Sequence, residues 1–254
     1  MKFFIIMYLK FLKKIIGIFG FKLVSKNLIK IEREIENNNS LSLDQILTDI
    51  FEKKNITGLI QVGANDGLRF DNINKFIKKH KTKSVLVEPI KEYFDRLKEN
   101  YKDCENIFFE NAAISVNNQI NYLYKVKTDD LYKYDDHIKG ISSYDFNHLI
   151  KHGVKKKHIT KEKIESISIT KLFEKYDFNI DLLFIDAEGY DAEIAIDLLQ
   201  KSNFRPIIII EYVHIKLPSI KILNNLFIEK KYKYFKMREN LICIPNERSV
   251  IINI

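Results

Sequence analysis

The apolar run Leu59-Ile60-Gln61-Val62 ends in Gly63-Ala64-Asn65-Asp66-Gly67, and Glu88 follows a second apolar run, Ser84-Val85-Leu86-Val87. Two glycines in a tight turn after a strand let backbone approach a ligand with no Cβ in the way. A carboxylate roughly 20 residues further on accepts both hydroxyls of a ribose. Together they point to a nucleotide-like cofactor. The turn departs from the dinucleotide pattern, in which a helix opens directly on the last glycine of G-x-G-x-x-G and offers bare N–H groups to a pyrophosphate. Asn65 and Asp66 stand there instead. An acidic side chain in that place repels a pyrophosphate and suits a cationic amino group, such as that of S-adenosylmethionine.

The elements that must position these residues follow from periodicity. Strands are expected at 59–63, 84–88 and 107–114, with helices at 71–80 and 91–101 between them, after a short helix from Leu43 to Lys53. Ile120 to Val126 is a further strand candidate. The alternation resumes with Ile167–Ile169, a helix from Thr170 to Tyr176, strand Leu182–Ile185, a helix from Asp191 to Gln200 and strand Ile207–Ile210. A final helix spans about Ser219 to Lys231. Tyr232–Met237 and Leu241–Ile244 then form a hairpin around Arg238-Glu239-Asn240, with Asn240 expected to take the turn conformation. Strands alternating with helices indicate a parallel α/β sheet. Between them, Lys127 to Glu165 is polar and weakly periodic, so a lid-like insertion is expected over 127–165; it holds His137, His148, His152 and His158.

In an open α/β sheet ligands sit outside the carboxyl ends of the strands. Those ends carry Gly63 to Gly67, Glu88-Pro89, Glu110-Asn111-Ala112, Asp186-Ala187-Glu188-Gly189, and Glu211 followed by His214. Any one of these could be a helix cap or a turn. Five polar ends in register argue for one site.

The segments Gln61 to Gly67, Val87-Glu88-Pro89 with Phe94, Leu97 and Asn100 after it, Asn111 to Ile114, and Asp181 to Gly189 resemble the FkbM family of S-adenosylmethionine-dependent methyltransferases. The resemblance covers about 43 to 245. It implies a Rossmann-like class I fold, a seven-stranded, mostly parallel sheet with an antiparallel last strand and helices on both faces. It further implies that Gly63, Asn65 and Gly67 frame the methionine part of the cofactor, with Asp66 in the same turn. Glu88 would hold the ribose diol, Asn111 and Ala112 would flank the adenine, and Asp186 would lie near the cofactor amino group or the methyl acceptor. The family's substrates are hydroxyls of sugars and secondary metabolites, so O-methylation of a hydroxyl is implied, with a sugar of a surface glycan or glycolipid precursor as the expected acceptor. The acceptor's proton must be taken up, and Asp186 is the first candidate base, with His148 and His214 competing. Ser142 and Ser143 could line the acceptor pocket or form a simple turn. Asp186, Glu188, Glu211 and His214 could gather at one end of the sheet, but their spacing does not demand a metal and none is expected.

Two other readings remain at the level of sequence. Glu88 could bind the ribose of a nicotinamide cofactor in an NAD(P)-dependent oxidoreductase, against which the Asn65-Asp66 turn counts. The fold could also serve a membrane-associated assembly protein without turnover.

The chain has 254 residues, 46% of them hydrophobic, enough for a large core. Its two isolated cysteines, Cys104 and Cys243, imply neither a disulfide framework nor a zinc site, and a cytoplasmic setting is expected. The net charge of +8 is uneven: residues 1–30 hold seven lysines and no acid, leaving 35 basic against 34 acidic residues elsewhere. That placement does not suit a nucleic-acid face. Apolar runs Phe3–Leu9 and Ile15–Phe21, separated by Lys10, Lys13 and Lys14, are too short to span a bilayer and no small-residue cleavage site follows. Residues 1–30 therefore read as a basic amphipathic helix, followed by a linker at 31–42 and the catalytic body from 43. Such a helix suits the anionic inner face of a membrane. The alternative is packing on the body or on a second copy. Deletion of residues 1–30 is expected to leave S-adenosylhomocysteine affinity unchanged while abolishing co-sedimentation with anionic liposomes; retained sedimentation would move the membrane contact elsewhere.

Overall fold

The computed structural model describes residues 42–248 apart from 54, 70 and 117–120. The chain divides into two units, Met1–Ser42 and Leu43–Ile254, and the elements described belong to the second. The expected amphipathic helix at 1–30 and, Ser42 apart, the linker at 31–42 lie outside the described residues.

Strands β1 (Gly58–Val62), β2 (Lys83–Val87), β3 (Ile107–Glu110), β9 (Leu182–Ile185), β10 (Ile207–Glu211), β11 (Tyr232–Met237) and β12 (Asn240–Pro245) build the main sheet. Their order is β11-β12-β10-β9-β1-β2-β3. The pairs β3/β2, β2/β1, β1/β9 and β9/β10 are parallel, and β12 is antiparallel to both β10 and β11. A seven-stranded, mostly parallel sheet with an antiparallel last strand is thus what forms.

Successive side chains of a strand point to opposite faces, so strands buried on both faces read as continuous apolar runs. Ile60, Val62, Leu183, Ile185, Ile208 and Ile210 pack on one side against Leu172, Phe173, Leu198 and Phe227, from helices Ile169–Lys175, Asp191–Lys201 and Leu217–Glu229. Leu59, Leu86, Leu182, Phe184, Ile207 and Ile209 pack on the other against Leu47, Ile50, Phe76 and Leu97, from helices Leu43–Lys53, Asn74–His80 and Lys91–Asn100. The central strands of the sheet lie between two helical layers, while the edge strands β3 and β11 keep exposed side chains such as Phe108 and Tyr234.

Three local expectations are corrected. The strand expected over 107–114 splits after Glu110: the Asn111 amide turns back to donate to the carbonyls of Glu88 (2.9 Å) and Pro89 (3.1 Å), and Ala113–Ile114 forms β4, paired instead with β8 (Ser166–Ile167). The helix expected from 71 opens at Asn74, because the Asp71 carboxylate first accepts the N–H groups of Ile73 and Asn74 at 2.8 and 2.9 Å. At the hairpin tip Arg238, with φ +50°, takes the left-handed turn conformation, while Asn240 pairs with Met237 inside the ladder.

The stretch expected to be a lid-like insertion over 127–165 is structured. β5 (Tyr122–Val126) pairs antiparallel with both β6 (Ser142–Ser143) and β7 (Ile159–Lys163), and helices Asp136–Gly140 and Phe146–Lys151 lie between them in sequence. Val126, Ile141, Leu149, Val154 and Ile159 form a small core of its own. Its weak periodicity reflects elements of two to six residues, too short to repeat a pattern.

Leu183 is fully buried in the central strand pair. Leu183→Ala is expected to cost about 2–5 kcal/mol in urea unfolding, through lost burial plus the cavity left behind.

Candidate active site

At the end of β1 the backbone turns under tight steric control. The N–H groups of Gly63 and Ala64 both donate to the Val87 carbonyl at 3.0 Å, and the Asp186 N–H donates to the Val62 carbonyl at 3.0 Å. These bonds bring the ends of β1, β2 and β9 together. A Cβ on Gly63 would lie 1.9 Å from the Asp186 carbonyl oxygen, and φ there is +79°, so only glycine fits.

Glu88 ends β2 with 4% of its surface exposed. Its Oε2 accepts the Asn65 N–H at 2.9 Å and its Oε1 accepts the Ile90 N–H at 2.8 Å. Burial nevertheless pushes the carboxyl up to about 7, with repulsion from Glu162 and Asp186 adding to it. Each carboxylate oxygen keeps one lone pair beyond these bonds, the capacity a vicinal diol needs.

A cavity of about 500 Å³ opens at these strand ends, lined by Gly63, Asn65, Glu88, Ala112, Asp186, Glu211 and His214 among others. The segment 127–165 contributes His137, Gly140, Ser142, Ser143, Tyr144 and His152 to its lining. Glu110 and Gly189 of the polar strand ends stand apart from the lining, and so do four of the candidate cofactor-binding and catalytic residues. Asp66 is buried and turned into its own loop, where its Oδ1 accepts the N–H groups of Leu68 (3.0 Å) and Arg69 (2.9 Å) and its carboxylate pairs with Arg69 at 3.6 Å. It shapes the turn from outside the cavity lining. Gly67 faces the helix Lys91–Asn100 and Tyr101: a Cβ there would lie 2.6 Å from Leu97 Cδ1 and 2.7 Å from Tyr101 Cε2. Asn111 spends its amide on the Glu88 and Pro89 carbonyls. His148 is 7% exposed and stands behind Glu188, its Nε2 2.9 Å from Glu188 Oε2.

The electrostatics of the cavity are dominated by carboxyls. Asp186 is exposed to the cavity while its surroundings hold it away from bulk water; that desolvation raises it to about 7, with repulsion from Glu188 and Asp71. Glu211 is pushed up to about 8 by burial, then by Asp186, Glu188 and Glu239. Asp71, on the same lining, is raised by burial. Fully buried Asp191 is raised well above its ordinary value by burial and by Asp186 and Glu211, and it accepts at 3.3 Å from the N–H groups of Ala187, Gly189 and Glu211, tying the ends of β9 and β10 together. Carboxyls that raise one another mark a negative potential, which a bound cation relieves. His152 and His214 are lowered, first by burial and then by neighbouring histidines, so both rings are neutral near pH 7.

This environment fits S-adenosylmethionine, which carries a sulfonium and an ammonium. It opposes the pyrophosphate of a dinucleotide, and the helix after the turn opens only at Asn74, so no bare helix N-terminus meets Gly67. His152, Asp71, Tyr144 and Glu239 also line the cavity and were not singled out as site residues in the sequence. The one available signal was the spacing of His148 and His152, one helical turn apart.

A seven-stranded sheet of this order, with a glycine turn after β1 and an acid after β2, defines a class I methyltransferase fold. Residues 61–238, well over half of the chain, match the family model described as the methyltransferase FkbM domain, and the chain belongs to that family, whose cofactor is S-adenosylmethionine. Among curated proteins no sequence matches significantly. Solved structures with a similar course include an FkbM methyltransferase from Methylobacillus flagellatus (TM-score 0.45, 13% identity, covering 74% of this chain and 42% of that one). Others are a methyltransferase from Geobacter sulfurreducens and an O-methyltransferase from Bacillus cereus in complex with SAH, each with TM-score 0.43, 9% identity and coverage of 91% of this chain and 95% of that one. The chain therefore spans less than half the length of the Methylobacillus protein.

Two outcomes follow for the cofactor half of the site. Glu88→Gln is expected to weaken S-adenosylhomocysteine binding in calorimetry by about 10- to 100-fold, the loss of charge-assisted hydrogen bonds. Because the folded-state carboxyl lies above its ordinary value, Glu88 contributes stability in full below that ordinary value and loses it as pH rises through about 7. Thermal melts of the ligand-free protein should accordingly show a shallower decline between pH 4.5 and about 7, the interval separating the ordinary from the folded-state value, in Glu88→Gln than in the wild type.

Proposed function

We propose that the chain is an O-methyltransferase acting on a hydroxyl of a polyhydroxylated acceptor, most simply a sugar in a surface glycan or glycolipid precursor. The observation that carries this reading is the acid-lined cavity at the carboxyl ends of β1, β2, β9 and β10, with Glu88 buried on one side and Asp186 presented on the other. The cofactor, when bound, supplies an activated methyl group on a sulfonium. Gly63, Asn65 and Ala112 would hold its two ends and Glu88 its ribose hydroxyls.

What remains for the protein is to align an acceptor oxygen and to take up its proton. An alcohol holds its proton tightly, so a base is needed. Asp186 ends the central strand β9 and faces the cavity, which makes it the base of this reading. His214 lines the same wall, 3.8 Å from Glu211 through its Nε2. His148, paired to Glu188 behind the lining, is placed to position that loop and not to meet the acceptor. Carboxylates and the Ser142 and Ser143 hydroxyls give a wall rich in hydrogen-bond acceptors, which suits an acceptor with several hydroxyls.

The lysine-rich segment 1–30 would keep the catalytic body at an anionic membrane surface, where lipid-linked glycan precursors are found. Among the described residues no helix is long and apolar enough to cross a membrane.

Methyl transfer from radiolabelled S-adenosylmethionine to nucleotide- and lipid-linked sugars tests the reading. The expected product is an ether that survives mild alkali; label released as methanol would identify a carboxyl acceptor and overturn O-methylation of a hydroxyl. On that acceptor Asp186→Asn should lower kcat by about 10²- to 10⁴-fold, the usual contribution of a positioned base. An effect confined to the KM for the cofactor would reassign Asp186 to binding.

A further inference from the structure

His148 and His152 stand one helical turn apart at the end of the helix Phe146–Lys151, Glu188 lies in the loop after β9, and His214 lies in the loop after β10. Three separate parts of the chain deliver these side chains to one point. One donor atom from each lies within 4.8 Å of all the others. The three rings touch one another, with centroids 4.6 Å apart for His148/His152, 4.8 Å for His148/His214 and 5.3 Å for His152/His214. Nothing in the proposed handling of the cofactor or the acceptor proton uses three imidazoles together.

We propose that His148, His152, His214 and Glu188 form a binding site for one divalent first-row transition metal ion in the wall of the cavity. Three imidazole nitrogens and one carboxylate oxygen suit zinc, iron, cobalt or nickel. Magnesium and calcium prefer sites made of oxygens. Bonds of about 2.1 Å in a tetrahedral site place donors about 3.4 Å apart, so the outermost pair here, within 4.8 Å, must close by up to about 1.4 Å, within reach of side-chain torsions.

The surrounding structure holds the ligands in place. Glu188 has φ +48° and Gly189 φ +92°, a loop conformation fixed by the Ser143 hydroxyl donating to the Glu188 carbonyl at 3.1 Å and by Asp191 accepting from Gly189. Glu211 Oε2, 3.8 Å from His214 Nε2, is placed to orient that ring from outside the donor set. His152, His214 and Glu188 also line the cavity, so the ion would border the space open to an acceptor. A bearing of the ion on the acceptor rests on the methyl-transfer reading; its binding does not.

The test uses the full chain, stripped with a chelator and titrated with Co²⁺ alone while visible absorption is recorded. One equivalent should bind with the strong d–d bands of a low-coordinate nitrogen-rich site, and His152→Ala and His214→Ala should each weaken it by at least about tenfold. Glu188→Gln should weaken Co²⁺ binding while keeping the loop. Far-UV circular dichroism and thermal melts of the same samples report that each variant remains folded, and S-adenosylhomocysteine affinity, measured separately, reads the cofactor proposal independently of Co²⁺ binding. No stoichiometric binding by the wild type, or binding unaltered in folded His152→Ala and His214→Ala variants, would overturn the proposal.

Discussion

The contact between the Gly63 Cα and the Asp186 carbonyl governs the site. Strands β1 and β9 are hydrogen-bonded neighbours up to Val62 and Ile185, and immediately beyond that point their backbones pass with no room for a side chain. Beside this close approach, the Gly63 and Ala64 N–H groups tie the turn to Val87 and the Asn65 N–H reaches Glu88, while Asp186 lines the cavity. Relief of the clash by any residue larger than glycine would part the strands and separate the two halves of the site.

Around that crossing the protein concentrates negative charge in a place that cannot hydrate it fully. Glu88, Asp186 and Glu211 are each raised, first by burial and then by other carboxyls. Such a cluster costs stability in the empty protein and becomes favourable when a cation enters. A sulfonium cofactor, and the proposed metal ion, would be two different answers to the same potential. The Asp191 carboxyl, fully buried, spends its hydrogen bonds on backbone N–H groups and so fixes the loops that present both walls.

The insertion contributes the second wall. Its small sheet and separate core let it carry histidines and serines toward the cavity without disturbing the main sheet.

Sequence alone determined the layered α/β architecture, the five polar strand ends and the placing of Glu88 and Asp186 at them, because apolar runs buried on both faces and glycine turns are local signals. Helix 191–201 and strand 182–185 were legible to within a residue for the same reason. Asp66 and Gly67 lie off the cavity lining, which spacing does not reveal: the same residue types serve a turn or a ligand, and the positions of Leu68, Arg69, Leu97 and Tyr101 fix their side of the turn. Asn111 ended a strand that the apolar pattern continued, since its bonds go to a neighbouring strand end that periodicity does not contain. The meeting of His148, His152, Glu188 and His214 was decided by tertiary structure, although the first two share a helical turn. They come from three stretches of chain, and their convergence depends on how the insertion packs over the sheet, a long-range contact that spacing does not encode.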